Sequence, residues 1–308
     1  MRDLTIVMYH YVRPVANSKY PRLKGLELDA FKRQLDFLES RYRVVTAEDI
    51  VSAARTNAPL PAGACWLTFD DGYRDHHAHV LPELLKRGIQ GSFFAPAKPV
   101  AERMMLDVNS IHFILASTTE PSIIVRELNE LCRDAGLSGE QLKSLWSTHA
   151  VGSRYDPAEV IYVKRMLQHA LPERIRHDIT SILFETFVGV PQRTFADELY
   201  MSKDEIRHLT QAGMYVGSHG YRHLWMNKEE KHVQASEIKM SIDFLKEVGA
   251  PVDNWIMCYP YGAYNEDTIT LLEDALCAVG VTSEPAKADL DSHHRLKLPR
   301  LDTNDFPQ

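Results

Sequence analysis

A chain of 308 residues with 44% hydrophobic and 25% charged side chains can bury a substantial core, as ordinary soluble globular proteins do. Its formal charge of −7 excludes a general nucleic-acid binder, because neutralising phosphates needs basic surface and the Lys and Arg residues form no stripe. The four cysteines, Cys65, Cys132, Cys258 and Cys277, contain no Cys-x-x-Cys pair, which excludes a zinc knuckle and argues against a disulfide framework.

The chain opens on a β-rich run at 4–8 that ends in Tyr9-His10, followed by a polar loop to Gly25. This apolar run is too short for a secretory leader and has no small-residue cleavage site, and no later run is as long as a membrane span. The expectation is a cytoplasmic protein. Phe31, Leu35 and Leu38 recur at helical spacing over 28–42, and a strand follows at 43–45. Thr46-Ala47-Glu48-Asp49 is a capping-box-like start for a helix to about 55. After a Pro/Gly linker at 59–63 comes an apolar strand at 65–69, then a helix over 80–87 closed by Gly88, then a strand at 91–95. Strand and helix alternate, as in an α/β fold with a parallel sheet.

From about 100 to 200 the pattern is helical only, with segments at 111–116, 123–132, 142–146, 160–171 and 175–187. The expectation is one domain over 1–308 carrying this helical insertion, which could act as a cap or a dimer surface. The alternation resumes with a helix at 203–211, a strand at 214–218, a helix at 229–248, a strand at 255–259, a helix at 266–277, and strands at 279–283 and 296–301. There is no internal repeat or low-complexity tract.

Chemistry gathers where strands end, as is usual for parallel α/β folds. Leu67-Thr68-Phe69-Asp70-Asp71-Gly72-Tyr73 ends a buried strand in two adjacent carboxylates, and Gly72 tolerates the turn that could bring them to one site. Two carboxylates so close call for a cation or a shared proton. His219 and His223 lie four apart after another strand, a spacing that on a helical turn would let both reach one ion. Together with a strand-end carboxylate they make a two-His, one-carboxylate set with positions open to water. Tyr259-Pro260-Tyr261-Gly262 is a third strand-end turn, able to aim a backbone N–H into a pocket.

Phe69-Asp70-Asp71-Gly72, His219-x-x-x-His223 and Tyr259-Pro260-Tyr261-Gly262 resemble, in order, the first three motifs of the polysaccharide deacetylases (NodB-type, carbohydrate esterase family 4). The likeness covers roughly 1–97 and 200–301, and Met8-Tyr9-His10 is similar to circularly permuted members. It implies an α/β fold, a distorted (β/α)7-type barrel, and metal-dependent removal of an N-acyl group from a sugar. It further implies that Asp71, His219 and His223 hold a divalent transition metal, zinc first. Asp70 would then be the general base, His10 the general acid, and Tyr261 the backbone donor to the oxyanion. The ion would bring the pKa of its water towards about 7, leaving one carboxylate free to take the proton.

Two departures stand out. Cys258 occupies the position where the family's third motif begins with arginine, and Arg300 is a candidate substitute. The usual C-terminal Leu-x-His is not evident, which favours His10 as the acid. The run from Met8 to Pro14, with Lys24-Gly25-Leu26 and Asp107-Val108-Asn109, resembles a subgroup associated with bacterial surface-glycan (O-antigen or capsule) synthesis. The expected substrate is an acylated amino sugar, a nucleotide-sugar or a lipid-linked glycan precursor, with Tyr73, Tyr221, Trp225, Tyr261 and Tyr264 as candidate sugar-facing aromatics. A non-carbohydrate amide substrate and an inactive metal-binding subunit are the alternatives.

Overall fold

The computed structural model describes residues 3–153 and 156–308. They divide into two compact units: Val15–Lys24 with Met104–Glu198, and a unit comprising 3–14, Gly25–Arg103 and Leu199–Gln308.

The second of these is built on nine strands: β1 (Asp3–Tyr9), β2 (Arg43–Val44), β3 (Ala64–Asp70), β4 (Ser92–Ala95), β5 (Tyr215–Ser218), β6 (Ile256–Cys258), β7 (Val279–Val281), β8 (Ala288–Asp289) and β9 (Leu301–Asp302). They follow the order β7-β6-β5-β4-β3-β1-β8, with β2 also on β3 and β9 also on β1. Every pairing is parallel except β1 with β8. The fold is a mixed α/β architecture of the distorted (β/α)-barrel kind. Side chains alternate between the two faces of a strand, and each face has its own core. Val7, Leu67, Phe69 and Phe93 pack on one side, while Ile6, Trp66, Phe94 and Cys258 pack on the other. Thr68 and Asp70 share the Trp66 side of β3, whose seven residues are all buried. A strand covered on both faces reads in sequence as a continuous apolar run, and the strand at 65–69 does so.

Three elements differ from expectation. The helix expected at 80–87 is the α-helix Leu81–Arg87, preceded by a π-turn at His76–Val80. Pro82 has no N–H to donate one turn back, and the wider turn accommodates the loss. The strand expected over 296–301 is reduced to β9 and an isolated bridge from Leu298 to Val281, with Pro299 interrupting the ladder. The short antiparallel β8 carries no alternation long enough to be legible.

The other unit is helical. Its main segments are Asp107–Ala116, Pro121–Asp134, Gly139–His149, Ala158–Arg165 and Glu173–Val188. Its core includes Phe113, Phe184 and Phe195, and Tyr20 from the early loop packs edge-on against Phe113 with ring centroids 5.0 Å apart. Arg22 and Lys19 donate to the carbonyls of Ala116 and Val188. Part of what reads as a polar connecting loop therefore belongs to the helical unit.

Candidate active site

The carboxyl ends of β1, β3, β5 and β6 deliver His10, Asp70 with Asp71, His219, and the Pro260 turn to one place. Asp70 is the last residue of β3, and its side chain keeps to the Trp66 face. Asp71 and Gly72 both take left-handed backbone, with φ of 70° and 66°. Asp tolerates this conformation better than most side chains. The turn therefore begins one residue before the glycine and carries the second carboxylate to the neighbouring histidines. A side chain at 72 would be strained by φ and would place its Cβ 2.7 Å from that of Ala95.

The two histidines are not on a helical turn. Residues 219–223 form a loop, with φ of 73° at Gly220 and 62° at His223. The loop instead folds back so that the rings lie 4.8 Å apart, edge to face.

Asp71 Oδ1 lies 3.3 Å from His219 Nε2 and 3.4 Å from His223 Nε2. These separations are long for charge-assisted hydrogen bonds. They match the edge, about 3.3–3.4 Å, of a tetrahedron whose metal–ligand bonds are about 2.0–2.1 Å. His219 Nδ1 is 2.8 Å from the Cys258 carbonyl, a contact that requires Nδ1–H and leaves Nε2 as the ligating nitrogen. Tyr73 donates to Asp71 Oδ2 at 2.5 Å, which turns Oδ1 toward the imidazoles. Burial pushes the Asp71 carboxyl upward, but the His219 and His223 imidazoles beside it hold it well below the ordinary range. Burial lowers His223, favouring the neutral imidazole a metal needs, whereas at His219 burial is outweighed by Cys258 and Asp71, which raise it well above its ordinary value. This set fits a divalent transition metal. Asp70, His219 and Cys258 are also mutually close. They fit less well, because Arg300 occupies Asp70 and burial keeps the Cys258 thiol protonated, pushing it upward.

Arg300, immediately before β9, reaches Asp70 with a bidentate contact, Nη1 to Oδ1 at 2.9 Å and Nη2 to Oδ2 at 2.7 Å. Its Nε donates to the Thr282 carbonyl, and Nη1 also reaches Thr68 Oγ1. Burial raises the Asp70 carboxyl, but the Arg300 charge and hydrogen bonds prevail and bring it to about 2. Arg300 Nη2 is 3.3 Å from Cys258 Sγ, so a guanidinium from another part of the chain lies beside the position where the resemblance implies an arginine. His10 Nε2 lies 3.9 Å from Asp70 Oδ2, with 41% of its side chain exposed. Its carbonyl is 2.8 Å from His76 Nε2.

The Pro260 turn places Tyr261 at φ 58°, its ring 4.7 Å from that of His223 and stacked on Trp225 at 4.2 Å. Of the aromatics expected to face a sugar, Tyr73 is fully buried and serves Asp71 instead. Its position two residues after the carboxylate is the signal that could have assigned it this role. Tyr221 donates to Glu102, and Tyr264 packs against Tyr259. Trp225, stacked on Tyr261, remains 36% exposed.

Residues 175–279, which include both histidines and Tyr261, match the family described as polysaccharide deacetylase. Over this stretch the chain is similar to the polysaccharide deacetylases. YxkH of Bacillus subtilis (strain 168), which carries a polysaccharide deacetylase name, is 29% identical over 135 residues. That match takes in 42% of this chain and 46% of YxkH, so it spans less than half the relative's length. The Streptococcus pyogenes deacetylase PplD, solved with acetate, superposes with a TM-score of 0.58 at 17% identity, over 97% of this chain and 92% of that one. IcaB from Ammonifex degensii gives 0.58 at 18% identity, over 98% and 91%. At these identities the likeness to solved structures is one of fold. Among the described residues, no helix is long and apolar enough to cross a membrane.

Proposed function

We propose that the protein is a metal-dependent N-deacylase that removes an acetyl or formyl-like group from an amino sugar in a surface-polysaccharide precursor, such as one for O-antigen. The observation that carries this reading is the pairing of Asp71, His219 and His223, spaced as ligands of one ion, with a separate Asp70 held by Arg300. A divalent transition metal, zinc first, would supply Lewis acidity, activating water near neutral pH and polarising the amide carbonyl.

The chain's own groups do the rest. Asp70, ionised and oriented by two guanidinium bonds, accepts the proton of the attacking water. The backbone N–H of Tyr261 donates to the carbonyl oxygen as negative charge develops there. His10, within 3.9 Å of Asp70, gives a proton to the nitrogen as the C–N bond breaks, releasing a carboxylate and the free amine. Trp225, stacked on Tyr261, is the aromatic suited to pack against the sugar. The reading places the reaction in the cytoplasm, and the four unpaired cysteines suit a reducing compartment.

The test is metal analysis of the wild type beside a His219→Ala/His223→Ala variant, followed by a panel of N-acylated amino sugars, nucleotide-sugars and lipid-linked precursors. The expected result is roughly one equivalent of transition metal in the wild type, none in the variant, and release of acid from a panel member. A wild type that takes up no metal on reconstitution overturns the reading.

A further inference from the structure

Between the two histidine ligands, the loop makes few contacts with itself. Ala97 N–H donates to the Gly220 carbonyl at 3.1 Å and Lys98 N–H to the Tyr221 carbonyl at 2.8 Å, so one side is held by the start of the helix Ala97–Glu102. Gly220 N–H is taken by Ser218 Oγ at 3.1 Å. The opposite side rests on one side chain of the helix Lys231–Glu247. Glu237, 1% exposed, accepts the Arg222 backbone N–H at 2.8 Å through Oε2 and Arg222 Nε at 2.5 Å through Oε1. Arg222 directly precedes His223, whose φ of 62° a non-glycine residue keeps only when its surroundings enforce it. The same carboxylate also borders Gly220, where a Cβ would be in ordinary contact, 3.9 Å from Oε2 and 3.4 Å from Pro260.

We infer that Glu237 is a positioning residue for the metal ligands. Its carboxylate holds Arg222 by its backbone N–H, in the Tyr221–Arg222 peptide, and by its guanidinium, fixing the approach to the left-handed turn that presents Nε2 of His223 beside that of His219. The inference rests on the metal-site reading above. Nothing in the local sequence marks Glu237, which lies in the middle of an amphipathic helix, 15 residues from its partner.

The experiment measures zinc affinity of the folded apoprotein by competition with a chromogenic chelator. Glu237→Met keeps the volume without an acceptor, and Glu237→Gln keeps one acceptor. The expected loss is about 10–100-fold for the Met variant, the range found when groups that orient metal ligands are removed, with substantial recovery in the Gln variant. Wild-type affinity in a folded Met variant overturns the proposal, as does an equal loss in Met and Gln. Should the Met variant fail to fold, Glu237→Asp decides: one methylene shorter, it cannot hold both Arg222 groups, and unchanged zinc affinity overturns the proposal. If the wild type itself takes up no zinc, the metal-site reading fails first, a result distinct from any difference between variants.

Discussion

Arg300 grips both oxygens of Asp70, at 2.9 and 2.7 Å, across 230 residues of sequence, with side-chain exposures of 1% and 2%. A bidentate pair at this depth does two things. It keeps the carboxylate ionised where burial alone would protonate it, and it fixes the plane in which the oxygens point. A base in the proposed reaction needs both.

Arg300→Met should therefore damage stability and turnover together. Removing one member of a buried pair typically costs about 3–5 kcal/mol, which denaturant unfolding would read. The proposed deacylation should fall by about 100-fold or more, the order seen when a general base is lost. Arg300→Lys should restore part of the stability but little of the turnover, because an ammonium lacks the planar fork. Near-wild-type kcat/KM in the Met variant would remove Arg300 from the mechanism.

Asp70→Asn should abolish turnover while leaving metal content intact, since the proposed ligand set is Asp71, His219 and His223. It should also alter acid stability in a defined window. The Asp70 carboxyl sits at about 2 in the folded protein against an ordinary 3.8. Its contribution, about 2 kcal/mol, is present above the ordinary value and lost as pH falls through the folded one. Stability followed by urea unfolding should decline over that interval more steeply in wild type than in the Asn variant. Parallel profiles would contradict the assignment.

His10→Ala tests the acid. Its 41% exposure and its 3.9 Å separation from Asp70 make it nearly dispensable for folding, so the melting temperature should move little. Turnover should drop by about 100-fold or more through kcat, with KM changing less. An unchanged kcat would leave His10 as an ordinary strand-end histidine.

Tyr73→Phe removes only the hydroxyl that turns Asp71 toward the imidazoles. Zinc affinity should weaken by about 10-fold or more, measured by chelator competition. The ring remains packed between Tyr11 and Tyr200, with which it stacks at 4.1 and 6.3 Å, so the fold should persist. Unaltered zinc affinity would reduce the contact to packing.

What the sequence determines by itself is local. Continuous apolar runs at 4–8, 65–69 and 91–95 mark buried parallel strands because both faces are covered, and Thr46 with Asp49 marks a helix start because the cap is made within one turn. Asp70-Asp71 and the two histidines are legible for the same reason: each pair is contiguous or nearly so. Tertiary structure decides what lies between segments. It replaces the expected helical turn at 219–223 with a loop, because the backbone there bonds to residues 97, 98 and 237 rather than to itself. It assigns Tyr73 to Asp71 rather than to solvent, and it makes Arg300 and Cys258 neighbours although 42 residues separate them. Such contacts follow from strand order and register, which bring distant side chains to one end of a sheet and leave no periodicity in the chain to announce them.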